Sequence, residues 1–180
     1  MKKMFFAIAS ASLVFSSSSF AGDPKASPDI VGRNLSIWGL GAMGHVGMWS
    51  GSSVVEVLNK PVVVQANTLQ SFKDSDKYWG AKYGIGAAKG SNIIAAGWGQ
   101  RLYNPSYTTT TLWREGGVTQ NTCAQYRYGR CIKLVSSKST ALFRCDTFVD
   151  FSFKKGSNAY LVNGGVILPR IVYNSMPSTR

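Results

Sequence analysis

Gly44-His45-Val46-Gly47-Met48-Trp49 is followed by Ser50-Gly51-Ser52-Ser53 and then by Val54-Val55-Glu56-Val57-Leu58. Two short apolar runs flanking a Gly-Ser break predict two strands joined as a hairpin. The first strand carries His45, the one histidine among 180 residues, and the second carries Glu56, a carboxylate inside an otherwise apolar run. An unpaired carboxylate is costly to bury. Glu56 is therefore the best candidate to orient His45 from the neighbouring strand.

The next segment, Pro61-Val62-Val63-Val64-Gln65-Ala66, reads as a third strand with Pro61 at its first residue, where a missing N–H does no harm. Asn67 follows it and is the reserve candidate for orienting His45. Far downstream lies Phe143-Arg144-Cys145-Asp146-Thr147-Phe148-Val149. Asp146 or Thr147 opens a short helix, with an acid early, Lys154 and Lys155 late and Gly156 closing it. Alternation of Phe151 and Phe153 also fits a strand, and the helix is the preferred reading. A thiol at a helix start, an imidazole to take its proton and a group to orient that imidazole form a nucleophilic system. Each residue also has a plainer reading: a structural histidine, an edge-strand glutamate facing water, an inert buried cysteine.

Lys2 and Lys3 precede an apolar stretch from Met4 to Phe15, and Ser19 and Ala21 are placed as in a small-residue cleavage site. Residues 1–21 therefore read as a signal peptide. Residues 22–180, about 159 in all, read as one domain. Without Lys2 and Lys3 the formal charge falls from +12 to about +10. Such a charge favours an anionic wall or membrane surface. The scattering of the cations and the lack of a recognised motif argue against nucleic acid. One His and three distant Cys offer no metal-ligand spacing, and no cofactor is expected. Of the three cysteines, Cys123 and Cys131 enclose a segment that can turn at Gly129, so a Cys123–Cys131 disulfide is expected. Cys145 is then the odd thiol in an oxidising, periplasmic or secreted setting.

The remaining chain is read coarsely. Gly22 to Asp29 is expected to be loose, and Ile30 to Ile37 leads into the histidine segment. Lys73 to Gly90 looks loop-rich with a short helix at most. Ser91 to Gln100 suits a helix capped at Ser91 or Asn92, and Tyr107 to Trp113 has strand propensity. Cys131 to Val135 starts a strand or a helix. Val166-Ile167-Leu168 and Ile171-Val172-Tyr173 are strand-like and broken by Pro169.

The segments around His45, Glu56 and Cys145 resemble the circularly permuted NlpC/P60 group, the YiiX/YebB-like proteins of papain fold. There a Gly-His-Val-Gly strand carries the base, the next strand supplies a polar residue, and a late aromatic-x-Cys segment carries the nucleophile. His before Cys is the reverse of the ordinary papain order, as a permutation requires. The resemblance implies an α+β fold, with an antiparallel sheet packed against the helix of the nucleophilic Cys. It implies Cys145 as nucleophile, His45 as base and Glu56 as the third polar group. The backbone N–H of Cys145 would form part of an oxyanion hole. Two positions depart from the pattern. Asp146 puts a negative charge where a small Ser is common, and Val57-Leu58 replaces a small residue. The implied activity is an exported thiol hydrolase cleaving an amide, with a peptidoglycan peptide as first substrate. The alternatives are acyl hydrolysis or transfer on a lipid, and a non-catalytic glycan- or peptide-binding or inhibitory module. For such a module Trp49, Trp79, Tyr83, Trp98 and Trp113 could line a groove.

Overall fold

The computed structural model describes residues 22–35, 44–83, 87–162 and 166–177. The expected signal segment, residues 1–21, lies outside them. Strands β1 (Ile30–Arg33), β2 (His45–Trp49), β3 (Val54–Val57), β4 (Val64–Asn67) and β5 (Tyr78–Lys82) form one antiparallel sheet in the order β4-β3-β2-β1-β5. The expected hairpin is present, with Met48 opposite Val55 and Trp49 opposite Val54. Helices α1 (Leu69–Asp74), α2 (Ala87–Trp98), α3 (Cys145–Ser157) and α4 (Pro169–Asn174) complete an α+β architecture.

Strand alternation sends successive side chains to opposite faces of the sheet, and both faces are covered. On one face Ile30, Val46, Met48, Val55 and Val57 pack with Ile93 of α2, Phe148, Val149 and Phe153 of α3, and Val172 of α4. On the other, Val31, Val54 and Ala81 pack with Phe72 of α1. Every residue of β3 is consequently buried, Glu56 included. The carboxylate that interrupts the apolar run lies out of phase with Val55 and Val57, on the face shared with Val54 and Phe72.

Five local expectations change. Strand β4 begins at Val64, because Leu58 N–H bonds to Val63 C=O (2.9 Å) and closes a turn around Pro61. The 73–90 stretch contains β5, which pairs with β1 at the sheet edge. Helix α2 starts at Ala87, ahead of Ser91, since Ala87-Ala88-Lys89 are strong helix formers. Within 107–113 only Ser106–Tyr107 is strand (β6). Thr108 Oγ1 then accepts from Thr110 N–H (3.1 Å) and Thr110 Oγ1 from Leu112 N–H (3.3 Å), which turns the chain. The segment around Pro169 is helix α4, with Pro169 in the first turn, where it lacks nothing a helix needs.

Gly22 to Asp29 is also anchored rather than loose. Buried Asp29 accepts from the N–H groups of Lys25 (2.8 Å) and Ala26 (3.1 Å). A disulfide-linked hairpin, β7 (Thr119–Arg127) and β8 (Arg130–Lys138), projects between the two-residue strands β6 and β9 (Leu142–Phe143) in the chain order.

Helix α3 is held against α2 at a point where Gly156 lies on the α2 backbone. A Cβ there would sit 2.5 Å from Ile93 Cα and N and 2.7 Å from Asn92 C. Backbone atoms cannot rotate away, so Gly156→Ala is expected to destabilise the protein by about 1–3 kcal/mol. A lowered urea midpoint at unchanged slope checks it.

Candidate active site

Gly44 enters β2 at φ +69°, and the Trp79 indole lies where its Cβ would be. Only glycine fits both demands, which gives the Gly-His pair a physical reason. His45 then starts β2 directly opposite Arg33 on β1. Its Nε2 is 2.6 Å from Glu56 Oε2. The other carboxylate oxygen, Oε1, accepts from Asn67 Nδ2 at 2.7 Å. Asn67 pairs with Val54 across β3 and β4, a diagonal from Glu56 on the same face. Asn67 thus meets Glu56, and Glu56 meets His45.

Arg33 completes this cluster. Its guanidinium nitrogen lies 4.0 Å from Glu56 Oε2, and its Cζ lies 5.0 Å from the Phe72 ring centroid. The His45 ring is 5.8 Å from the same ring. Burial disfavours the Glu56 carboxylate. Hydrogen bonding and charge from His45, the Asn67 amide and the Arg33 cation outweigh that and hold Glu56 below the ordinary glutamate range.

Cys145 is the first residue of α3, 2% exposed, and is the free cysteine, since Cys123 and Cys131 are bonded to each other. Its side chain lies near enough to His45 to act on the charge of the imidazole. A carboxylate only accepts, so Nε2 carries a proton toward Glu56. That leaves Nδ1 for the thiol. Burial alone pulls the imidazole pKa down. The charge and hydrogen bond of Cys145, with those of Glu56, reverse this and raise it from 6.5 to about 9.

The flanks of Cys145 hold a second buried cluster. Arg144 grips Asp146 with two parallel bonds, Nε to Oδ1 at 2.7 Å and Nη2 to Oδ2 at 2.6 Å. The same guanidinium donates to Ile167 C=O (2.6 Å) and Thr109 C=O (3.2 Å). Asp146 Oδ1 also accepts from Thr147 N–H (2.8 Å), and Thr147 Oγ1 accepts from Arg144 N–H (3.0 Å). The acid beside Cys145 is therefore neutralised by Arg144 and caps the first turn of α3. Tyr107 stands close by on β6. Burial, then the charges of Cys145 and Asp146, push its phenol up to about 12.

The structure thus brings together His45, Glu56 and Cys145, with Asn67 in support. Arg33, Arg144 and Tyr107 were not singled out in the sequence. Arg33 shares the signal that marked Glu56, a charge closing an apolar strand, Ile30-Val31-Gly32-Arg33. Among the described residues no group of three or more His, Cys, Asp or Glu side chains could hold a metal ion. Comparison with protein-family models, with curated proteins and with solved structures returns no match.

Two outcomes follow for stability. The raised His45 pKa contributes stability that is complete below pH 6.5 and lost as pH rises through about 9. The lowered Glu56 pKa contributes stability that is present above pH 4.5 and lost as pH falls through the folded value. Urea unfolding between pH 6.5 and 9 should show declining stability, with a shallower decline in Glu56→Gln, whose neutral amide removes the carboxylate's pull on the imidazole. Asp146→Ala strands a buried guanidinium and is expected to cost about 3–5 kcal/mol. Adding Arg144→Met should recover part of that loss in the same assay.

Proposed function

We propose that this protein is an exported thiol hydrolase that cleaves an amide bond, built on a permuted papain-like scaffold of the NlpC/P60 kind. One observation carries the reading: the His45 imidazole lies between Glu56, 2.6 Å from Nε2, and the Cys145 thiol at the first residue of α3. A chain with one histidine and one free cysteine, 100 residues apart, brings the two near enough to act on each other's charge beside a buried carboxylate. Chance burial gives no reason for that coincidence.

In the proposed reaction, the Cys145 proton passes to His45 Nδ1 before substrate reacts, as the raised imidazole pKa favours, and the thiolate sulfur then attacks the substrate carbonyl carbon. The carbonyl oxygen becomes an oxyanion facing the backbone N–H of Cys145, a first-turn donor that has no acceptor in the helix ladder. Collapse breaks the C–N bond, and the imidazolium gives its proton to the departing amine. A thioester remains on Cys145. Water then attacks it, losing a proton to His45, and the sulfur leaves and recovers that proton. Glu56, held by Asn67 and Arg33, fixes the ring and stabilises the imidazolium. The substrate class proposed first is a peptide of peptidoglycan. The charge of the chain suits an acidic wall, and the disulfide suits the periplasm or the exterior.

The test joins labelling to turnover. Iodoacetamide should modify Cys145 selectively near neutral pH, read by mass spectrometry, and His45→Ala should suppress that reactivity. Wild type should release peptide fragments from purified wall, Cys145→Ala none, and His45→Ala roughly 10²–10⁴-fold less. An inert Cys145 in the folded protein would overturn the enzyme reading. Products from phospholipid but not from wall would move the substrate to a lipid acyl group.

A further inference from the structure

The β7–β8 hairpin takes no part in the site above, and it does not behave like the rest of the chain. Its two strands form a separate two-stranded sheet. Nearly every residue along it is exposed. At nine residues per strand it reaches about 30 Å. Isolated two-stranded hairpins are marginal in water. This one is secured at its far end by the Cys123–Cys131 disulfide and at its root by Ser139. Val118 and Ser139 exchange a backbone bond (2.9 Å), and Ser139 Oγ donates to Glu115 C=O (2.7 Å). The turn uses Tyr128 at φ 50° and Gly129 at φ 74°, a two-residue loop of the type that suits twisted strands.

Its composition is selective. The cations are Arg127, Arg130, Lys133 and Lys138, and there is no acid from Thr119 to Lys138. The exposed apolar groups are large: Tyr128 is 91% exposed, Tyr126 68% and Leu134 66%, with Ile132 and Val135 also outside. Arg127 lies over the Tyr128 ring, 5.4 Å from its centroid, so charge and aromatic surface share the tip.

We propose that the tip of this hairpin docks into the headgroup layer of an anionic phospholipid bilayer. Four cations without an acid complement an anionic surface. A soluble acidic polymer would satisfy those cations but offer nothing to the tyrosines and aliphatic side chains. A bilayer interface offers both, and tyrosine suits the boundary because its ring is apolar and its hydroxyl wet. A second copy of the hairpin would set like charges against each other. The inference does not depend on the thiol chemistry, and the two fail separately.

The experiment is co-sedimentation of the protein with vesicles of phosphatidylcholine, with and without phosphatidylglycerol. Binding is expected only to the anionic vesicles, and added salt should weaken it. Arg127→Ser with Arg130→Ser should weaken binding roughly 30-fold, from the free energy each cation gains near such a surface. Tyr126→Ser with Tyr128→Ser should weaken it roughly tenfold. Both pairs lie outside the core, so wall-fragment turnover and circular dichroism should stay as in wild type. Four outcomes would overturn the proposal: no vesicle binding, equal binding to neutral vesicles, binding indifferent to the tyrosines, or preference for soluble wall fragments. Self-association lost with the tyrosine pair would also overturn it and make the hairpin a homotypic contact.

Discussion

The 2.6 Å contact between His45 and Glu56 is the constraint to which the centre of this fold answers. A carboxylate buried between two apolar layers is tolerable only with full compensation. The sheet supplies it from three other strands: the imidazole from β2, the amide of Asn67 from β4 and the guanidinium of Arg33 from β1. Each donor lies on the same face because the registers Arg33–His45 and Val54–Asn67 put them there. A slip of one residue in any strand would turn its polar group to the opposite face. The pairing of the sheet and the integrity of the polar cluster are thus one requirement seen twice.

A second buried ion pair answers a different need. Asp146 in the first turn of α3 favours the helix terminus, yet an unmatched acid next to Cys145 would oppose any negative charge on sulfur. The bidentate Arg144 contact removes that conflict. Through Ile167 and Thr109 the same guanidinium also ties the helix start to two distant loops. Asp146 and its neighbour Arg144 thus form the clamp that fixes where Cys145 sits. Planarity and five donors make arginine suited to this, and lysine could not replace it.

The site was more legible in the sequence than the scaffold around it. His45, Glu56 and Cys145 stood out because each is chemically conspicuous where it occurs: a lone imidazole, a charge among valines, an unpaired thiol. The same logic applied to Arg33, but a terminal strand residue reads as a solvent-facing end until its partner strand is known. The 107–113 stretch was opaque for another reason. Threonine favours strands, yet its hydroxyl competes for nearby N–H groups, and here Thr108 and Thr110 win that competition. Around Pro169 the apolar residues fit a strand by propensity. Within a strand Pro169 is a break, but a proline also suits the first turn of a helix, where it stands.

The chain divides its stabilising resources unevenly. Residues around the thiol are held by burial, by two ion-pair clusters and by helices covering both faces of the sheet. The β7–β8 hairpin can call on none of these, since a ribbon open on both sides buries almost nothing. Its disulfide closes a loop with a sequence separation of 8 and contributes roughly 2–3 kcal/mol, comparable to burying a single large core side chain. The covalent link thus closes a segment that keeps Tyr126 and Tyr128 in water. Its root joins Ser139, six residues before Cys145, so whatever surface the tip engages is mechanically coupled to the strand that leads into α3. The hairpin and the Cys145 cluster thus stand at the two ends of one short connection.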